Sequence, residues 1–150
     1  MPKPGVDRRL AAILAADVAG YTRLMEDDEE ATLAAWWAAR KELIDPAIAD
    51  HSGRIVKHTG DGFLAEFATA SDAVRCAATI QTAMKGRNEG SDPGRFFDFR
   101  VGINLGEIVD DGEDIYGEGV NLAARIKAMA ERAASIFPAA FTNKSATSLS

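Results

Sequence analysis

The hydrophobic pattern of the N-terminal half predicts three β-strands. Residues 10–16 form a nearly continuous apolar run that ends in Asp17. A run of this length, followed by a glycine-containing turn over residues 18–22, is typical of a strand that is buried on both faces. Residues 54–67 predict two short strands joined by a tight turn, in which glycines flank Asp61.

An amphipathic helix is predicted between the first strand and this hairpin, over about residues 29–44. It begins in an acidic run, which favours a helix N-terminus, and Asp45-Pro46 interrupts it because proline disfavours helical geometry in the preceding residue. The spacing places Trp36 in the core and Trp37 off the apolar stripe, facing solvent or a partner chain. A second helix is predicted from an N-cap at Ser71 to an end at Gly86.

The C-terminal part of the pattern adds a fourth strand and a third helix. Apolar and polar residues alternate over residues 97–105, and a polar excursion over 106–114 contains an Asp-Gly turn. A helix follows from about Gly119, with an apolar stripe formed by Leu122, Ile126 and Met129.

The order strand, helix, strand, strand, helix, strand predicts an α+β fold with a ferredoxin-like βαββαβ core. To this core the chain adds a C-terminal helix, and we expect helices to cover one face of the antiparallel sheet. We divide the chain into a lead-in over residues 1–9, one domain over 10–131 and a tail over 132–150.

The composition of the chain argues against several kinds of protein. The net charge of −6 argues against non-specific nucleic-acid binding, which depends on Lys and Arg neutralising phosphates, and no apolar run reaches the length of a membrane helix. Cys76 is the only cysteine, which excludes an intramolecular disulfide and predicts a reducing, cytoplasmic location. Its apolar helical context predicts a buried side chain.

Asp17 and Asp61 are the first candidates for chemistry. If the first strand pairs beside the hairpin, the two carboxylates meet at the sheet edge, where a divalent cation relieves their repulsion. Mg²⁺ or Mn²⁺ suits such oxygen ligands, since these ions keep waters and accept substrate phosphates. Taken alone, Asp61 is explained equally well as a turn-forming residue.

Asn121 and Arg125 lie four residues apart and project from one helix face, which by itself indicates an ordinary solvent-facing polar pair. Together, six residues resemble the class III nucleotide cyclase catalytic domain, the family of adenylate and guanylate cyclases, in its short-armed bacterial form. They are, in chain order, Asp17, Lys57, Asp61, Asp114, Asn121 and Arg125. The resemblance extends over about residues 9–131.

The resemblance implies a role for each of these residues. Asp17, Asp61 and the Val18 carbonyl would hold two Mg²⁺ or Mn²⁺ ions, Asn121 would position the ribose, and Arg125 would stabilise charge on the α-phosphate. The phosphates would also receive backbone N–H groups from Ala19, Gly20, Tyr21 and Thr22. The implied reaction is attack of the ribose 3′-oxygen on the α-phosphate, at sites shared between the two chains of a homodimer. It converts ATP to 3′,5′-cyclic AMP and pyrophosphate.

Lys57 and Asp114 match the family's purine-selecting pair, and their chemistry favours ATP. Lysine only donates and an ionised carboxylate only accepts, which matches the N1 acceptor and N6 amine of adenine. Guanine reverses both groups and would leave buried partners unpaired. A guanylate or dual-specificity cyclase, or a catalytically impaired dimerisation or nucleotide-sensing domain, remain alternatives. A diguanylate cyclase palm would need a Gly-Gly-Asp/Glu-Glu-Phe turn, which is absent.

The sequence departs from the family at two places. Glu107 stands where some members have an arginine for the triphosphate. Residues 132–150 lack the usual Pro-Gly-Gly turn, final strand and phosphate-binding lysine, a role that Lys144 does not take over. We expect this tail to be the family sequence read out of frame from about codon 132, and we expect turnover to be impaired. An in-frame relative with the same tail would remove that hypothesis.

Overall fold

The structure is a computed structural model that describes residues 6–136, with the side chains of 93 and 131–136 outside the description. Its strands are β1 (Asp7–Val18), β2 (Arg54–His58), β3 (Gly62–Phe67), β4 (Phe99–Asp110) and β5 (Ile115–Tyr116). Its α-helices are α1 (Tyr21–Asp27), α2 (Glu29–Ala39), α3 (Asp45–Asp50), α4 (Ala70–Asn88) and α5 (Glu118–Ile136). A π-helical turn, Arg40–Ile44, joins α2 to α3, and a 3₁₀ turn, Pro93–Arg95, precedes β4.

The strands form one five-stranded sheet in the order β2-β3-β1-β4-β5. All neighbouring strands run antiparallel, and β1 lies in the centre between β3 and β4. The first four strands have the ferredoxin-like order, so the predicted α+β fold and its βαββαβ core are confirmed. β5 is an addition at the β4 edge of the sheet.

Helices cover both faces of the sheet, not one as expected. Alternate residues of β1, such as Leu14, pack into the larger core beneath α1 to α4, around the buried Trp36. The residues between them, such as Ile13, pack against a second cluster that includes Ala123 of α5. A helix on each face is the physical reason for the unbroken apolar run, because neither side of the central strand meets water.

α5 presents small residues to the sheet, and the predicted stripe on this helix is wrong. Leu122 and Met129 are 36% and 57% exposed, whereas Ala123 is fully buried. The reason lies in β4: a Cβ at Gly102 would overlap the Ala123 carbonyl oxygen and the Lys127 backbone nitrogen. The helix backbone therefore rests directly on the sheet, which leaves no room for large side chains between them.

The helix from residue 29 does not stop at Asp45-Pro46. The Asp45 N–H donates to the Arg40 carbonyl, five residues back, and this π-helical turn carries the chain into α3 with Pro46 in its first turn. Proline is tolerated there because the first amides of a helix need no intrahelical acceptor. The predicted environments of the two tryptophans are confirmed, since Trp36 is buried and Trp37 is exposed.

The predicted ends of the following helix are also wrong. Thr69, not Ser71, is the N-cap, because the Thr69 side chain accepts from the Asp72 N–H at 3.1 Å. The helix continues beyond Gly86 to Asn88. The buried Asn88 side chain there donates to the Phe97 carbonyl and accepts from its N–H, both at 3.0 Å. These two bonds fix the helix end against the start of β4.

The outer strand limits differ from the expected ones. β1 starts at Asp7, within the expected lead-in, and β4 continues through the expected excursion to Asp110. The two strands pair along their whole lengths, from Asp7 opposite Asp110 to Val18 opposite Phe99. Pairing with its neighbour therefore makes each strand longer than its apolar part. α5 reaches Ile136, and the remainder of the tail lies outside the described residues. The domain limits otherwise stay a prediction.

Cys76 is fully buried on α4, as predicted, and burial raises the pKa of its thiol to about 12. A thiol of this pKa stays protonated and therefore unreactive at neutral pH. Among residues 6–136, no helix has the length and apolar character to cross a membrane. The cytoplasmic location stays a prediction.

Gly62 permits the close approach of β3 to β1, and we expect Gly62→Ala to lower the free energy of unfolding by about 3 kcal/mol. An added Cβ would overlap the Ala16 carbonyl oxygen and lie 2.8 Å from the Asp17 Cα. Urea denaturation of both proteins measures the difference. Gly60→Ala, in the same hairpin, is the matched control, because its Cβ would meet nothing within 4 Å. Equal losses in the two variants would contradict this packing.

Candidate active site

Asp17 lies near the end of β1 on the face covered by α5, and cations of its own chain surround it. Arg100 lies opposite on β4, and its Nε and Nη2 donate to the two carboxylate oxygens of Asp17 at 2.6 Å each. Lys127 of α5 places its Nζ 3.3 Å from Asp17 Oδ2. The Asp17 side chain is only 8% exposed, so this carboxylate is desolvated and compensated by ion pairs.

Asp61 occupies the turn between β2 and β3, beside the end of β1. Its carbonyl accepts from the Val18 N–H at 2.8 Å, and the next residue, Gly62, lies opposite Asp17 in the sheet. Burial, and to a smaller extent the Asp61 carboxylate, raises the pKa of Tyr21. The structure thus brings the backbones of Asp17, Val18 and Asp61 together at one end of the sheet, with Tyr21 close to Asp61.

The turn after β1 leads into α1 through Gly20, whose φ of 67° is in the left-handed region that favours glycine. The Ala19 N–H donates to the Asp98 carbonyl at 2.7 Å, so a phosphate contact with this amide would have to replace that bond. Tyr21 and Thr22 open the first turn of α1, where backbone N–H groups lack intrahelical acceptors. The sequence did not predict this short helix.

The oxygen atoms gathered at this end of the sheet fit a hard divalent cation, provided that ligands other than side chains complete its coordination. Within residues 6–136, no group of three or more His, Cys, Asp or Glu side chains could hold a metal ion. A metal held by Asp17 and Asp61 would therefore have only two carboxylates, and backbone oxygen, water and substrate phosphates would have to complete its coordination. Mg²⁺ and Mn²⁺ accept such mixed shells.

Lys57 and Asp114 meet although they lie on the two edges of the sheet. The Lys57 Nζ donates to Asp114 Oδ2 at 2.9 Å, and this contact lowers the pKa of Asp114. β2 and β5 are the outermost strands, so the sheet must curl until its edges approach each other over the α5 face. Two residues that the sequence separates by 57 positions thereby form one polar site.

A β-bulge in β2 turns Lys57 toward that site. Ile55 pairs with Ala65 and Lys57 pairs with the adjacent Leu64, so Val56 is the extra residue. In a regular strand Lys57 would share the face of Ile55, which packs into the core beneath α1 to α4. The bulge instead places it beside Leu64, on the α5 face. No signal in the sequence indicated this bulge.

A network of ion pairs crosses the same face of the sheet from β2 to β4, and sequence reasoning missed it. Asp110 accepts from Arg9 at 2.9 Å and from Arg54 at 3.4 Å, and Glu66 bonds the same two arginines at 2.6–2.7 Å. The Asp110 Oδ1 also accepts from the Gly112 N–H at 2.8 Å, which fixes the turn before Asp114. The backbone N–H of Gly112 and the Arg9 guanidinium lower the pKa of Asp110.

Asn121 and Arg125 are exposed on α5, as their helical spacing predicted. Two large apolar residues of the same helix, Leu122 and Met129, are exposed beside them. In a single chain, therefore, the two polar side chains project from a partly apolar surface and not into a closed pocket.

This fold and the residues gathered at the sheet end define a nucleotide cyclase catalytic domain. Residues 8–136 match the family model of the adenylate and guanylate cyclase catalytic domain, and the chain belongs to that family.

Individual relatives agree with this assignment. The chain is 50% identical over 131 residues to "Putative adenylate cyclase 3" of Rhizobium meliloti, which covers 87% of this chain and 22% of that protein. It is 32% identical to an adenylate cyclase of Streptomyces coelicolor, covering 93% of this chain and 35% of that protein. The chain thus spans about a fifth to a third of the length of these relatives.

Among solved structures, an adenylate/guanylate cyclase/hydrolase from Silicibacter pomeroyi is 53% identical, with a TM-score of 0.77. That alignment covers 83% of this chain and 72% of the other. The guanylyl cyclase Cya2 is 28% identical, with a TM-score of 0.70 over 83% of this chain and 72% of the other.

Proposed function

We propose that this domain is an adenylate cyclase, which converts ATP to 3′,5′-cyclic AMP and pyrophosphate. The observation that carries the choice of purine is the ion pair between Lys57 and Asp114, at 2.9 Å across the curled sheet. With the lysine facing N1 and the carboxylate facing the group at position 6, this pair matches adenine and opposes guanine. The two side chains are 47% and 27% exposed, so a base can reach them.

Asp17, Asp61 and the Val18 carbonyl would hold two divalent ions, Mg²⁺ or Mn²⁺, at the other part of the site. When bound, these ions lower the pKa of the ribose 3′-hydroxyl and neutralise charge on the triphosphate. Arg100 fixes the orientation of the Asp17 carboxylate through two parallel hydrogen bonds. Gly20 lets the backbone of the following turn approach the phosphates, because it has no Cβ.

Asn121 and Arg125 complete the site from a second copy of the chain. Arg125 would stabilise charge that builds on the α-phosphate as the 3′-oxygen attacks, and Asn121 would hold the ribose. Both are exposed among unpartnered apolar side chains, which supports contact with another subunit. Because a twofold interface repeats every contact, one dimer would have two equivalent sites.

The test is incubation with ATP or GTP in the presence of Mn²⁺, with chromatographic detection of the cyclic product. We expect cyclic AMP to form from ATP in preference to cyclic GMP from GTP, and chelation of the metal to stop the reaction. Preferential formation of cyclic GMP would favour the guanylate cyclase alternative. Nucleotide binding without product would indicate a catalytically impaired sensing domain.

A further inference from the structure

We infer that Lys127 competes with the divalent cation for Asp17, so that the chain itself neutralises this carboxylate until metal and nucleotide bind. The inference rests on the proposed function, since it takes Asp17 as a metal ligand. It assigns Lys127 the role of neutralising Asp17 before the metal binds, and none of the six family-matching residues has that role.

The two cations on Asp17 are held differently. Arg100 comes from the neighbouring strand and contacts both carboxylate oxygens at 2.6 Å, in the fork geometry that fixes orientation. Lys127 comes from the helix and approaches Oδ2 alone, at 3.3 Å. Its ammonium is a point charge on a flexible four-carbon stem, so it can leave the carboxylate without moving the backbone.

Close packing of α5 on β4 brings Lys127 to this position. A Cβ added to Gly102 would overlap the backbone nitrogen of Lys127, so the helix lies directly over the strand that carries Arg100. The Lys127 side chain is 23% exposed, so it is partly shielded from water. An ammonium in such a position favours an anionic partner, and Asp17 supplies it.

The charges at the site explain why the lysine must give way. Arg100 uses two of the roughly four lone-pair positions of the Asp17 carboxylate, and the Lys127 ammonium adds a second positive charge 3.3 Å from Oδ2. A divalent cation on the same carboxylate would repel the nearby ammonium. A bound triphosphate offers that ammonium another anionic partner. We therefore expect the metal to bind weakly to the nucleotide-free protein and more tightly once nucleotide is present.

The test measures Mn²⁺ binding to the nucleotide-free protein by the electron paramagnetic resonance signal of free Mn²⁺. Lys127→Met should tighten binding about tenfold, because it removes a competing positive charge. Lys127→Arg keeps the charge and should bind as the wild type does. Lys85→Met is the matched control, since it removes the same charge from an exposed position on α4, on the opposite face of the sheet.

A second measurement follows the lysine itself. Mass spectrometry should detect more modification of Lys127 by an amine-reactive reagent when saturating Mn²⁺ is added without nucleotide, because the metal then displaces the ammonium from Asp17. In Asp17→Asn, Lys127 should be modified with or without the metal. Circular dichroism establishes that each variant is folded.

The outcomes separate this inference from the proposed function. If Asp17→Asn and Asp61→Asn weaken Mn²⁺ binding but Lys127→Met binds no more tightly than Lys85→Met, the competition is refuted and the metal site stands. If neither aspartate variant affects Mn²⁺ binding, the proposed metal site is wrong and the inference fails with it.

Discussion

Asp17→Asn should lower the rate of cyclic AMP formation by at least about a thousandfold while the protein stays folded. Asparagine has the shape of aspartate and keeps one acceptor for Arg100, but it lacks the charge that holds a divalent ion. Product formation from ATP with Mn²⁺ gives the rate, and a urea transition establishes folding. Asp50→Asn, at an exposed position on α3, is the control and should retain full activity.

Mixing two inactive variants tests whether the site is shared between chains. If Asp17 and Arg125 act from different chains, heterodimers of Asp17→Asn and Arg125→Ala contain one intact site out of two. Random pairing makes about half of the dimers heterodimers, so about a quarter of the wild-type activity should return. Absence of any recovery in a mixture that sedimentation shows to exchange subunits would place both residues in one chain's site.

The second large effect is expected from exchanging the purine pair, in the double variant K57E/D114K. The exchange keeps an ion pair across the sheet edges but places the acceptor where the donor was. It therefore opposes adenine and matches the O6 acceptor and N1–H donor of guanine. We expect the ratio of kcat/KM for ATP to that for GTP to fall by about three orders of magnitude, measured with both substrates.

An exchange of charges elsewhere shows whether this effect is specific. Glu42 and Arg87 form an exposed ion pair at 2.8 Å between the π-helical turn and α4, on the other side of the fold. The double variant E42R/R87E makes the same change of charges and should keep the wild-type preference. If K57E/D114K also kept it, base recognition would have to lie elsewhere, although family membership would be unaffected.

Local pattern alone was sufficient for most of the elements. The unbroken run before Asp17 predicted a central strand, the flanking glycines predicted the hairpin around Asp61, and spacing separated Trp36 from Trp37. These features depend on neighbouring residues and on the period of a strand or helix, which the sequence displays directly. The six residues that match the cyclase family were named from the resemblance to that family, which depends on their order along the chain and on their places in such elements.

Only the tertiary structure decided which of these residues touch. Lys57 reaches Asp114 because the sheet curls and β2 has a bulge, and Arg100 reaches Asp17 from 83 residues away because β4 pairs with β1. Lys127 joins them because α5 packs closely over Gly102. The curl of the sheet, the bulge in β2 and the packing of α5 arise from contacts between distant segments. Hydrophobic periodicity describes only neighbouring residues and therefore does not predict them. The sequence by itself determined most of the elements and the family, and packing determined the charges around each carboxylate.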